Sequence, residues 1–291
     1  MREGALYRAS AILVKGGCKM VDDLIYDIGM HTGKDTAYYL KKGFRVVAVE
    51  ANPELVRKVS GLFAEEIRSD RLTVYNAAIG EIEGPATFYI NDDKDDWGTT
   101  SREFVERNEA LGTTHRAIEV PGVPLAKIIR ECGVPYYAKV DIEGADLLCL
   151  KAFLDFDAKP KYLSIESSLI DYESVLGELS HMWVLGYREF KIVNQALNRS
   201  VKCPNPALEG VYVDQAFDGH MSGPFGEEAP GQWQNIGTTL KRYRKILADT
   251  EKFGATGKYY DTWIMTVDNW FRKLSKTEPT GWYDIHAKLP D

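Results

Sequence analysis

Between residues 24 and 193 the chain alternates short β-branched runs with stretches of helical periodicity, the pattern of repeated βαβ units and a parallel sheet. Strands are expected at 24–29, 45–50, 72–79, 86–90, 116–120, 136–142, 161–166 and 188–193. Helices are expected at 36–42, 53–67 (with Pro53 in its first turn), 124–132, 145–153 and 172–185. The acidic run 92–96 reads as a solvated loop. Beyond it, residues 215–233 are rich in Gly and Pro and lead to two further helices at 239–250 and 262–276. The expected fold is therefore α/β: a doubly wound, mostly parallel, Rossmann-like sheet with helices on both faces. Its domain spans 21–215, preceded by a short segment (1–20) and followed by a loop and helical extension (216–291) that is a candidate substrate lid.

Composition narrows the class. The 291 residues are 44% hydrophobic and 27% charged, with 43 acidic side chains against 36 Lys plus Arg and a net charge of −7. That balance suits a globular protein and disfavours a nucleic-acid partner bound through bulk positive charge. Cys18, Cys132, Cys149 and Cys203 are widely spaced, with no CxxC pair. The apolar run 11–14 is too short for a signal peptide, and no stretch approaches the ~20 apolar residues of a membrane span. A cytoplasmic protein with reduced thiols is expected.

In an open parallel sheet, ligands bind outside the carboxyl ends of the strands. The first strand runs into Asp27-Ile28-Gly29-Met30-His31-Thr32-Gly33, and the second ends in Glu50, where a carboxylate can accept from both hydroxyls of a ribose. The turn is DxGxxxG, without the GxGxxG spacing that seats a pyrophosphate on a helix N-terminus, which disfavours NAD and FAD. An acid at its first position suits a ligand with a cationic end, such as S-adenosylmethionine.

These stretches, with Val49-Glu50-Ala51-Asn52-Pro53, Tyr75-Asn76-Ala77-Ala78-Ile79, Gly98-Thr99-Thr100-Ser101, Val123-Pro124-Leu125 and Lys139-Val140-Asp141-Ile142-Glu143-Gly144-Ala145-Asp146, resemble the FkbM-type S-adenosylmethionine-dependent methyltransferases, which have the class I methyltransferase fold. The chain has Met30-His31 where that family usually has Ala-Asn, and Asp146 where it has Glu. The resemblance implies that Asp27, Gly29 and Gly33 line the methionine part of the cofactor, with Met30 and His31 of the same loop also among the cofactor-binding residues. Glu50 would hold the ribose, with Ala51 next to it also cofactor-binding; Asn76, Ala77 and Ala78 would lie against adenine, and Asp141 would stand beside the sulfonium, to bind the cofactor ammonium, the acceptor or both.

Methyl transfer needs a positioned nucleophile and a group to take its proton. Candidates for that catalytic role are Glu143, Asp141, Glu166 and His31. Asp141 and Glu143 supply few ligands for Mg²⁺, so a metal is possible but not favoured. The expected activity is O-methylation of a small-molecule or glycan acceptor. N-methylation, other sulfonium chemistry and a non-catalytic adenosine-ligand binding protein are the alternatives. In the extension, Trp282, Tyr283 and His286 either pack a helical layer or shape the acceptor pocket.

Overall fold

A computed structural model describes residues 18–254, 257–275 and 277–290. The apolar run 11–14 and most of the segment 1–20 lie outside them. Five strands make the parallel part of the main sheet: β1 (Met20–Ile28), β2 (Arg45–Glu50), β3 (Leu72–Asn76), β7 (Val134–Val140) and β8 (Tyr162–Glu166). A sixth, β9 (Glu189–Asn194), is joined to them through β10 (Tyr283–Lys288), antiparallel to both β8 and β9. The order is β3-β2-β1-β7-β8-β10-β9. Strand order reverses between β1 and β7, so their carboxyl ends open a crevice on the side where a ligand is expected.

Helices α1 (Lys34–Lys41), α2 (Pro53–Leu62) and α5 (Leu125–Cys132) follow β1, β2 and β6 (His115–Val123); α6 (Asp146–Ala152) and α7 (Tyr172–Val184) follow β7 and β8. One core, including Ile28, Val140, Ile129 and Leu179, fills one face of the sheet. A second, including Tyr39, Val46, Tyr137 and Phe225, fills the other. Residues 215–233 are irregular, as expected, yet they close that second core: Phe225 stacks on Tyr137 with ring centroids 4.6 Å apart. Beneath them, Lys42 and Glu228 form a fully buried ion pair at 2.8 Å.

Four local differences from the expected elements have physical causes. The helix at 53–67 breaks at Phe63 into α2 and α3 (Ala64–Arg68). The strand at 72–79 also divides, because the Ala77 amide turns to Glu50 O (3.1 Å) and Ala78–Ile79 (β4) leaves to pair with Gly122 and Val123. β4 joins a side sheet with β5 (Gly84–Asn91) and β6 (His115–Val123). Between β5 and β6 lies an unexpected helix, α4 (Arg102–Ala110), capped by Ser101 and burying only Val105 and Asn108. With so little apolar surface its periodicity is weak. Finally, the extension holds α8 (Ile236–Phe253) and α9 (Trp263–Ser275) as expected, but also β10, whose residues 283–287 are all buried inside the sheet.

Candidate active site

At the strand switch, Gly29 and Asp141 meet. The Asp141 amide donates to Ile28 O (2.9 Å), and a Cβ on Gly29 would lie 1.8 Å from Asp141 O. Gly29 also has φ +87°, so two independent constraints require glycine there. The crevice widens into a cavity of about 930 Å³. Of the residues expected to bind a cofactor, Gly29, Met30, His31, Glu50, Ala51, Ala77, Ala78 and Asp141 line it.

Three do not line it. Asp27 is fully buried below the loop: Thr36 Oγ1 donates to one of its oxygens (2.6 Å), and Lys139 Nζ lies 3.4 Å from the other. Gly33 takes the left-handed conformation that starts α1 and packs against Val59 and Phe63. Asn76 turns its amide back onto Glu50 O and Ala51 O, at 3.0 and 3.2 Å. All three therefore shape the backbone under the site.

Glu50 is buried at the cavity wall, and each of its oxygens accepts one backbone amide, His31 N at 2.9 Å and Asn52 N at 2.8 Å. Burial raises its pKa, while those two amides and nearby cations pull it back. His31 has φ 51°, and its Nε2 stands 3.3 Å from Asp95 Oδ1. Its partner belongs to the acidic run, which is solvated as expected and also forms the cavity rim.

Lys139 is the residue that sequence reasoning missed. Its ammonium is buried between Asp27, Asp35 and Asp141, at 3.4, 3.5 and 3.5 Å, and donates to Gly29 O at 3.1 Å. Burial would lower its pKa, but the three carboxylates outweigh it and hold the ammonium charged. The available signal was a lysine in an otherwise apolar buried strand, which must find acidic partners.

The proposed proton acceptors converge. Glu143 sits just past β7 with φ 49°, its carbonyl accepting from Thr99 Oγ1 (2.6 Å) and its carboxylate 3.3 Å from Arg107 on α4. This explains Gly98-Thr99-Thr100-Ser101: Thr99 braces the turn, and Ser101 caps the helix that brings Arg107. Burial, then the charge of Asp141, pushes the Glu143 carboxyl up to about 8. Glu166 ends β8 opposite Asp284 of β10, and burial together with Asp141, Glu143 and Asp284 drives its pKa upward. Asp146 is raised to about 6, again first by burial, and accepts from the amides of Ile142 and Gly144.

Farther out, Trp282 lines the cavity, but Tyr283 and His286 do not. Both are buried in β10, and burial followed by Lys191 lowers the His286 pKa to about 3. Phe253, Tyr260 and Met265 complete an apolar wall. Among the described residues, no group of three or more His, Cys, Asp or Glu side chains is arranged to hold a metal ion.

A seven-stranded sheet of this order, with one antiparallel strand, and a cavity lined by Glu50, Asp141 and Glu143 at its switch point define a class I methyltransferase architecture. The methyltransferase FkbM domain matches residues 27–192, and the chain belongs to that family. Among curated proteins no match is found. Solved structures resembling it include the precorrin-6y C5,15-methyltransferase of Geobacter metallireducens (11% identity, 94% of this chain and 81% of that one, TM-score 0.36). Another is the precorrin 8w decarboxylase of Methanobacterium thermoautotrophicum (15% identity, 61% and 70%, TM-score 0.34). A third is the phosphoethanolamine N-methyltransferase 2 of Haemonchus contortus in complex with S-adenosyl-L-methionine (11% identity, 95% and 50%, TM-score 0.34).

Proposed function

We propose that the chain is an S-adenosylmethionine-dependent methyltransferase acting on a hydroxyl of a sugar, glycan or secondary metabolite. The observation that carries this reading is that Glu50 and Glu143 face one cavity at the strand switch. Each Glu50 oxygen uses one lone pair on a backbone amide and keeps another, which fits the two hydroxyls of a ribose. Ala77, Ala78 and Ile79 offer a small apolar wall suited to a purine, and the half-exposed Asp141 suits an ammonium. The donor set thus fits S-adenosylmethionine, which when bound supplies a methyl carbon on positive sulfur.

The chain's own residues then have three tasks. Asp141, steadied by Lys139, orients the cationic end of the cofactor. Glu143 in its ionised form accepts the proton from the acceptor hydroxyl as that oxygen attacks carbon, and its raised pKa makes it a competent base near neutrality. Leu169, Phe253 and Met265 cover the acceptor side and exclude water. Titration calorimetry tests the cofactor. Saturable binding of S-adenosylhomocysteine with no response to NADH is expected, and the reverse would sink the assignment.

A second reading, N-methylation, is favoured by the crowding of Glu143, Glu166 and Asp284 around Asp141: burial and then repulsion raise their pKa values, and a bound cationic amine would relieve the repulsion. Competition between amine and polyol acceptors in a methyl-transfer assay separates the two.

A further inference from the structure

Helix α9 is amphipathic in the inverted sense. Its half-buried side carries Ile264 and Met265 but also Asp268 and Arg272, and Arg272 is tied to Asp249 of α8 at 3.2 Å and to its own-helix neighbour Asp268. The opposite side presents Trp263, Val267, Trp270, Phe271 and Leu274, which recur at i, i+4, i+7, i+8 and i+11 and so form one stripe. Their exposures run from 41% at Val267 to 75% at Trp263. A core-forming helix would turn this stripe inward, and among the described residues nothing covers it.

We propose that this stripe is a docking surface for an anionic lipid membrane, on which α9 lies flat. Size argues against a second copy as the occupant. Thirteen residues make a helix about 20 Å long, and a stripe about 10 Å wide offers roughly 200 Å², against the ~800 Å² per partner of a stable protein interface. Two tryptophans and a phenylalanine on one face suit the headgroup boundary, where amphipathic rings are favoured. Charge points the same way. Residues 236–276 hold nine Lys and Arg against four Asp and Glu, whereas the chain as a whole is at −7. Lys252 and Lys258 precede the stripe in sequence and Lys273 falls within its span; all three are exposed, and each adds about 1 kcal/mol of attraction at an anionic surface.

Helix α9 also borders the cavity, which is lined by Met265, on the half-buried side opposite the stripe, and by Tyr260, just before the helix. Docking by the stripe would therefore place α9 between the lipid surface and the part of the cavity wall that Met265 forms. The docking itself does not rest on the methyl-transfer reading.

Sedimentation of the full chain with vesicles tests it. Vesicles of phosphatidylcholine with about one-third phosphatidylserine should carry the protein down, and phosphatidylcholine alone should carry far less. High salt should weaken the binding. Trp270→Glu and Leu274→Glu should each reduce it at least tenfold, while Leu62→Glu, an exposed apolar residue on α2, should leave it unchanged. Retained S-adenosylhomocysteine affinity in the same variants reports that the fold and cofactor site survive, so failure of docking and failure of the cofactor reading are distinguishable. Absence of sedimentation, equal binding to both vesicles, or indifference to both Glu substitutions would overturn the proposal. So would a dimer in solution that Trp270→Glu dissociates, since the stripe would then be an interface between copies.

Discussion

The ammonium of Lys139 lies 3.4 Å from Oδ1 of Asp27, and both side chains are almost completely buried beneath the loop that follows β1. Asp35 and Asp141 approach the same ammonium at 3.5 Å. Lys139 is thus the cation on which three carboxylates depend. Replacing it by Met keeps the volume and strands the carboxylates, so Lys139→Met is expected to cost about 3–5 kcal/mol of stability, the usual result of halving a buried pair. Urea denaturation measures this, and the added substitution Asp27→Asn should restore part of the loss. A Lys139→Met variant as stable as the parent would mean that the carboxylates are protonated or hydrated.

Glu50 has two duties that one substitution exposes together. It holds the amides of His31 and Asn52 and keeps an acceptor on each oxygen for the ligand. Glu50→Ala should weaken S-adenosylhomocysteine binding by about 1.5–3 kcal/mol, the worth of hydrogen bonds to a charged group. Glu50→Gln, which keeps one acceptor, should lose less. Calorimetric titration decides, and an unchanged dissociation constant in Glu50→Ala would move the ribose site elsewhere.

Most of the strand frame was legible because buried parallel strands are apolar along their whole length. Residues 45–50 read as a strand from sequence and fold as β2. β10 was not legible: Tyr283–Lys288 mixes aromatic, acidic and basic side chains, and becomes a strand because β8 and β9 leave a slot between them. That is tertiary context overriding local pattern. Asp27 shows the complementary limit. Sequence placed an acid at the correct strand end, but whether it faces a ligand or a neighbouring lysine depends on which strand lies alongside. β7 does, and it brings Lys139 into register with Asp27.

Glu178 of α7 gives a pH dependence that is independent of catalysis. It accepts from Ser168 N at 2.8 Å and from Ser167 Oγ at 3.3 Å, and burial pushes its carboxyl up to about 8. A folded pKa above the unfolded value means that the stability this group contributes is fully present below about 4.5 and is lost as pH rises through about 8. At about 1.4 kcal/mol per pKa unit, the loss amounts to several kcal/mol. Urea denaturation near pH 5 and about pH 9 should show the wild-type chain losing stability relative to Glu178→Gln. Parallel curves for the two proteins would mean that the carboxylate is hydrated in the folded state.

Glu143 ties the electrostatics of the site to its rate. Its carboxyl, raised to about 8, is mostly protonated at neutral pH, and only the ionised form can take a proton from a hydroxyl. kcat/KM for methyl transfer should therefore climb as pH rises and level off above about 8. Arg107 opposes this shift, so Arg107→Met should move the inflection to higher pH without abolishing turnover. Glu143→Gln should slow the reaction by about 10²–10⁴, the usual worth of a general base, and leave S-adenosylhomocysteine affinity near wild type. Asp141→Asn should harm both, because on the proposed reading Asp141 orients the cationic end of the cofactor. The neighbouring carboxylate supplies the control. If Glu143→Gln turns over normally while Glu166→Gln or His31→Asn is inactive, then the proton goes to the end of β8 or to the first loop, and the inflection near 8 belongs to a group other than Glu143.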